Sequence, residues 1–304
     1  MARSLPIQRH PFPPRGPAPC KALLALVVCC ICLAWAQPCK AADIPLPPPL
    51  DAMLDFVLGV PPNIEPGTQG GALTPPQTIP ARPKTPQSVL PLFIGIPYRL
   101  DGVINDDGQY ALFNAPDTSL ATPGLNCSGM VLAASRIILD TNFPVAAMVR
   151  DREGDSGPAA PYGHDWDFGF DLVMNISEGF SRRVLLPPGA AVPDALTGKT
   201  APSFDPHAPG FTDALLPQVT EGLLYLVSFS RHRAPDAPPR LHYHTGVIVR
   251  DGNAVWVYST TRNSGRVIRH NLATPDGLAR FRDSFKNTPG SYKRLTVLAV
   301  LIAD

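Results

Sequence analysis

Apolar residues recur at helical spacing over residues 127–138, where Met130, Val131, Ala134, Ile137 and Ile138 fall on one side. Asn126 stands just ahead of them and is a favoured N-cap residue, so the spacing predicts a helix that begins at Cys127 itself. Downstream the period changes from 3.6 to 2. Residues 223–230, 241–250, 254–261, 266–271 and 294–303 are rich in Val, Ile, Leu, Tyr and Thr and read as strands, with a tight turn at Arg250-Asp251-Gly252-Asn253. An amphipathic helix is predicted over 276–285, before the last strand. Residues 167–176 have the composition of a strand, and 185–209 read as loop. A helix followed by an antiparallel meander is an α+β arrangement.

The pattern is different ahead of residue 91. Residues 1–21 carry Arg3, Arg9, Arg15 and Lys21 and no acid, 22–36 are apolar and uncharged, and small residues follow at Ala34, Ala36, Ala41 and Ala42. This is the layout of an export signal, and fifteen apolar residues are short for a bilayer span. A signal peptide over 1–42 is therefore expected, with the protein periplasmic or secreted and without stable membrane contact once the signal is removed. An uncleaved anchor is the alternative. Residues 43–90 hold 12 prolines, which remove backbone donors and fix dihedrals, and read as a proline-rich linker or arm able to recruit a protein partner. Residues 91–304 have globular composition and are long enough for one core, with an insertion around 140–219.

Charge and cysteine usage narrow the chemistry. The chain has 26 basic and 25 acidic residues; the leader takes Arg3, Arg9, Arg15, Lys21 and Lys40, so the remainder carries a net charge of −4. Nothing in that balance suggests nucleic acid as a partner. Cys20, Cys29, Cys30, Cys32 and Cys39 all lie in the leader, and cutting after Ala42 leaves Cys127 alone. A lone thiol has no intramolecular disulfide partner. At the first turn of a helix it faces unpaired amides and the positive dipole end, which favour thiolate.

A thiol nucleophile needs an imidazole nearby and a group to orient it. His207 and His232 lie in proline-rich stretches and His270 ends a strand, so all three are expected at the solvated surface. His242 and His244 sit two apart on a strong strand and are expected to share a face. That pair, with His164, Asp165 and Asp167, also offers a zinc-site reading; His164-Asp165-Trp166-Asp167 otherwise reads as a polar loop.

Several segments resemble a known family. His244-Thr245-Gly246-Val247-Ile248-Val249, followed by Asp251-Gly252, resembles the histidine strand of the NlpC-type papain-like cysteine peptidases, which cleave peptidoglycan stem peptides. Asn126-Cys127-Ser128-Gly129-Met130-Val131 is similar to that family's Asp-Cys-Ser-Gly nucleophile motif. Upstream, Gly95-Ile96-Pro97-Tyr98-Arg99-Leu100-Asp101-Gly102 is similar to its Gly-x-Pro-Tyr-x-x-Gly-Gly motif, with Asp101 in place of a glycine. Thr220-Glu221-Gly222-Leu223-Leu224 faintly resembles its Pro-Gly-Asp-Leu turn. The resemblance implies a papain-like fold, with the nucleophile helix packed on the meander, and an exported thiol hydrolase acting on peptidoglycan amide bonds.

It also implies roles for individual residues. Cys127 would be the nucleophile and His244 the base, with Tyr98, Ser128 and His242 toward the substrate and no cofactor. An ungapped match puts Trp256 at the orienting position, where an indole cannot accept from imidazole. A register shift offers Tyr258 or Ser259 instead. Two other readings use the same residues: a zinc-dependent hydrolase built on His242 and His244, and a catalytically degenerate wall-binding or assembly factor.

Overall fold

The computed structural model describes residues 84–157 and 165–302. The expected signal peptide, the proline-rich segment up to residue 83 and His164 lie outside the described residues. Among the described residues no helix is long and apolar enough to cross a membrane.

The first described residues form a short helix, Pro86–Val89, capped by Thr85 and continued by a 3-10 turn, Leu90–Phe93. Val89, Leu90 and Phe93 are buried in the core, so the packed body begins before residue 91. A small hairpin follows, β1 (Gly102–Ile104) and β2 (Tyr110–Leu112). Helix α1 spans Cys127–Ile138, with the Asn126 side chain accepting from the Gly129 N–H at 2.7 Å, as the sequence predicts.

Residues 167–176 correct the sequence reading. They form helix α2 (Phe168–Ile176), in which every residue from Gly169 to Ile176 is buried. A helix buried on all sides has no polar face to betray its period, and its apolar run therefore reads as strand.

Besides two short helices, Val145–Met148 and Phe211–Leu215, and a 3-10 turn, Leu216–Gln218, the other elements are β3 (Arg182–Val184), β4 (Leu223–His232), β5 (Pro239–Asp251), β6 (Ala254–Thr260), β7 (Val267–Asn271), α3 (Pro275–Ser284) and β8 (Tyr292–Leu301). The strands β3 to β8 build a six-stranded antiparallel sheet in the order β3-β8-β4-β5-β6-β7. The meander from β4 to β7 is the one the alternation predicts. The last strand does not extend it but returns to pair with β4 on the other side. The fold is α+β, as expected from the order of elements.

Both faces of the sheet are covered. On one, Met130, Val131, Ala134 and Ile138 of α1 pack with Leu224, Leu226, Val247 and Val249. On the other, Phe281 and Phe285, from α3 and its C-cap, pack with Val227, Phe229, Ile248 and Val257. Each such side chain removed from water contributes about 1.5–3 kcal/mol. The central strands are consequently near-continuous apolar runs.

Candidate active site

The chain ahead of α1 is threaded against the segment bearing Tyr98. The Leu125 N–H donates to Pro97 O at 2.9 Å, the Arg99 N–H to Leu125 O at 3.1 Å and the Asn126 N–H to Gly102 O at 3.0 Å. Tyr98 is thereby held beside Cys127. Asp101 adopts φ 61°, the left-handed region that glycine occupies freely and Asp tolerates better than most residues. Its carboxylate accepts from the Asn114 N–H at 3.1 Å, which helps hold the turn.

Cys127 is partly exposed at the start of α1, and α1 packs on β5. Burial pushes its thiol pKa up, while attraction and a hydrogen bond to the His244 imidazole pull it down. With the Thr245 amide and hydroxyl added, the value comes down to about 6. At neutral pH the sulfur is therefore mostly thiolate. Tyr98, Cys127 and His244 line one open cleft of about 690 Å³.

His244 is 5% exposed, and its ring packs against the edge of the stacked Phe229–Phe285 pair, with centroids at 4.9 and 5.1 Å. Its Nε2 is buried and has no hydrogen-bond partner among the described residues. Aromatic packing fixes this imidazole where a polar orienting residue is expected. Tyr258 is buried and its hydroxyl accepts from Arg269 at 3.1 Å. Ser259 is likewise buried, and neither residue lines the cleft. Trp256 stacks under the Arg269 guanidinium at 4.0 Å.

His242 does not share a face with His244. Phe229 pairs with His244 but Ser230 pairs with His242, so Tyr243 is an extra residue, a bulge that turns the strand. His242 leaves toward α2, against Trp166 and Phe170. Its Nε2 lies 2.8 Å from Gly198 O, an obligate acceptor, so Nε2 carries the proton and Nδ1 accepts from Ser228 Oγ at 2.9 Å. Burial holds its pKa down at about 4, which keeps the ring neutral. Both nitrogens are occupied, and neither is offered to a metal or a substrate. Among the described residues no group of three His, Cys, Asp or Glu is placed to hold a metal ion.

Ser128 is also buried; its hydroxyl lies 3.5 Å from Thr245 Oγ1 and 3.9 Å from the Cys127 sulfur, bridging α1 to β5 and lying outside the cleft lining. His232 belongs to β4 and is buried, with Nε2 2.8 Å from Ser230 Oγ and Nδ1 2.7 Å from Ala237 O, which corrects the surface placement. His270 is buried at 9% exposure, and His207 is half-buried with Nε2 3.0 Å from Phe285 O.

The segment 165–167 is a turn ahead of α2, but it is largely buried and not a solvated loop. Trp166 is buried, and Asp167 is fully buried with both carboxyl oxygens lacking a hydrogen-bond partner among the described residues. Burial, then the charges of Asp171, Asp155, Asp165 and Asp151, push its pKa up to about 7. Folding thus tightens proton binding at Asp167. The associated stability is complete below the unfolded value of about 4 and is lost as pH rises through about 7. Asp167→Asn is expected to raise the thermal midpoint by several degrees at pH 8 and to leave it unchanged at pH 4, as read by melting at both pH values.

Sequence reasoning missed Thr245 as a thiol contact and Arg231, Tyr243 and Lys293 as cleft residues. Thr245 stood inside the histidine motif. The other three become neighbours only through the pairing register of β4, β5 and β8.

No family model matches the chain, and no curated protein matches its sequence. Among solved structures, a Legionella pneumophila protein assigned to the family DUF1460 aligns at 13% identity and TM-score 0.40, over 71% of this chain and 88% of that one. An N-acetylmuramoyl-L-alanine amidase from Bacteroides uniformis aligns in two crystal structures. One gives 14% identity and TM-score 0.41 over 72% of this chain and 98% of that one. The other gives 11% and 0.41 over 72% and 99%.

Proposed function

We propose that the protein is an exported thiol hydrolase that cleaves amide bonds in peptidoglycan stem peptides, with Cys127 as nucleophile and His244 as base and acid. The observation that carries this reading is the meeting of Tyr98, Cys127 and His244 in one open cleft, with the thiol pKa brought down to about 6. The stem-peptide substrate and the export come from the resemblance in the motifs and from the leader.

The Cys127 thiolate attacks the scissile carbonyl, and the carbonyl π electrons move to oxygen. Capping uses the Gly129 N–H, and the Met130 N–H donates to Asn126 O, leaving the Cys127 and Ser128 amides as first-turn donors without helical acceptors. In this reading the Cys127 amide stabilises the oxyanion. His244 then gives a proton to the leaving amine as the C–N bond breaks, and a thioester remains on Cys127. Water, deprotonated by His244, attacks the thioester carbonyl, the acid product is released as the C–S bond breaks, and the thiolate is restored beside protonated His244.

The test is release of new amino termini from purified peptidoglycan. Wild type is expected to release them continuously, and Cys127→Ala to fall to background. Equal release by both proteins overturns the reading. The unpartnered Nε2 of His244 favours a second reading, a wall-binding factor that has lost turnover. Wall binding without release by either protein would establish it.

A further inference from the structure

The cleft beside Cys127 is unevenly charged. Among the described residues Arg231, Arg262, Lys286 and Lys293 line it, against the single carboxylate of Asp283, in a chain whose basic and acidic residues nearly balance. Asp283 is strongly exposed and lies 3.8 Å from Lys286. Arg231 and Lys293 form no ion pair among the described residues.

The placement of those two is specific. Arg231 of β4 and Lys293 of β8 are direct cross-strand partners. Like charges directly opposite each other on adjacent strands destabilise a sheet. Lys293 is only 8% exposed, and its ammonium donates to Ser291 O and Ser291 Oγ, both at 2.7 Å, leaving one donor. Burial, then the Arg231 charge, holds its pKa below the ordinary lysine value. The Arg231 guanidinium lies over the Tyr243 ring at 4.1 Å, and that ring feels the Cys127 charge. Two uncompensated cations thus flank the same cleft as the nucleophile.

We infer that Arg231 and Lys293 form a subsite for a carboxylate on the substrate, so that the preferred peptide bears a free carboxyl group close to the scissile bond. This deepens the hydrolase reading and rests on it for the identity of the peptide. A carboxylate there would neutralise the like-charge pair and receive charge-assisted hydrogen bonds from both side chains. The Arg231 fork suits bidentate pairing, and Lys293 supplies a point charge at its flank.

The test measures binding separately from cleavage. Calorimetry with Cys127→Ala protein would use two peptides of alanine, γ-linked glutamate and a diamino acid, identical except that the glutamate α-carboxyl is free in one and a carboxamide in the other. The acid is expected to bind at least about tenfold tighter, as charge-assisted hydrogen bonds require. That ratio is expected to collapse toward one when Arg231→Gln is added, with Lys293→Met as a second variant and melting curves to verify folding. Equal affinities, or no binding of either peptide, overturn the subsite. Acid preference with no cleavage by wild type would leave the subsite standing and defeat the hydrolase reading.

Discussion

His244→Ala is expected to move the midpoint of Cys127 alkylation from about pH 6 to about pH 8.5 or above. In the wild type, burial opposes the thiolate and His244 supplies most of what overcomes it, with smaller help from Thr245. Removing the imidazole leaves the burial cost in place, so the thiol returns to or beyond its ordinary range of about 8.5. At pH 7 the thiolate fraction then falls from about nine-tenths to a few per cent. A thiolate of higher pKa is intrinsically more nucleophilic, which offsets part of the loss in rate. The midpoint of iodoacetamide labelling against pH is therefore the proper readout, and coincident midpoints in the two proteins would contradict the pairing.

The second large effect is structural and comes from Gly129. A Cβ built there would lie 2.1 Å from Gly102 O and 3.0 Å from the Val103 Cα. Both contacts are backbone, so no flexible side chain can yield. Alanine would improve helix propensity by about 1 kcal/mol. Forcing α1 away from β1 is expected to cost at least about 3 kcal/mol, so the clash wins. Gly129→Ala should therefore lower stability by about 2 kcal/mol or more in urea unfolding, and it should also displace Cys127. An unchanged urea midpoint would show that the helix does not make this approach. Gly102 meets a similar limit, since a Cβ there would lie 2.6 Å from Gly124 O. The two glycines of the sequence motifs are thus the two sides of one contact that places the nucleophile.

Much of this was legible in the sequence. Helix α1 shows its period and its Asn126 cap, and the β4–β7 meander shows its β-rich runs and its turn at Gly252, which has φ 56°. Cys127, His244 and Tyr98 were legible as a set because each stands in its own motif. Helix α2 was not legible, because total burial erased its polar face. The bulge at Tyr243 has no signature in residue type, yet it decides that His242 and His244 part company. Arg231 and Lys293 lie sixty-two positions apart, and only strand register brings them together. A polar orienting residue has no counterpart among the described residues at the ring itself, where Phe229 and Phe285 pack against the imidazole.

The central claim is that Cys127 carries the acyl group of a cleaved amide. The most direct measurement is the intact mass of protein quenched in acid within milliseconds of mixing with a stem peptide. Wild type is expected to show an adduct equal to the acyl fragment, mapped to Cys127 and decaying as amine and acid products accumulate; Cys127→Ala should show neither adduct nor products. Continued turnover by Cys127→Ala, or turnover by wild type with no adduct at Cys127 at any time, would contradict it.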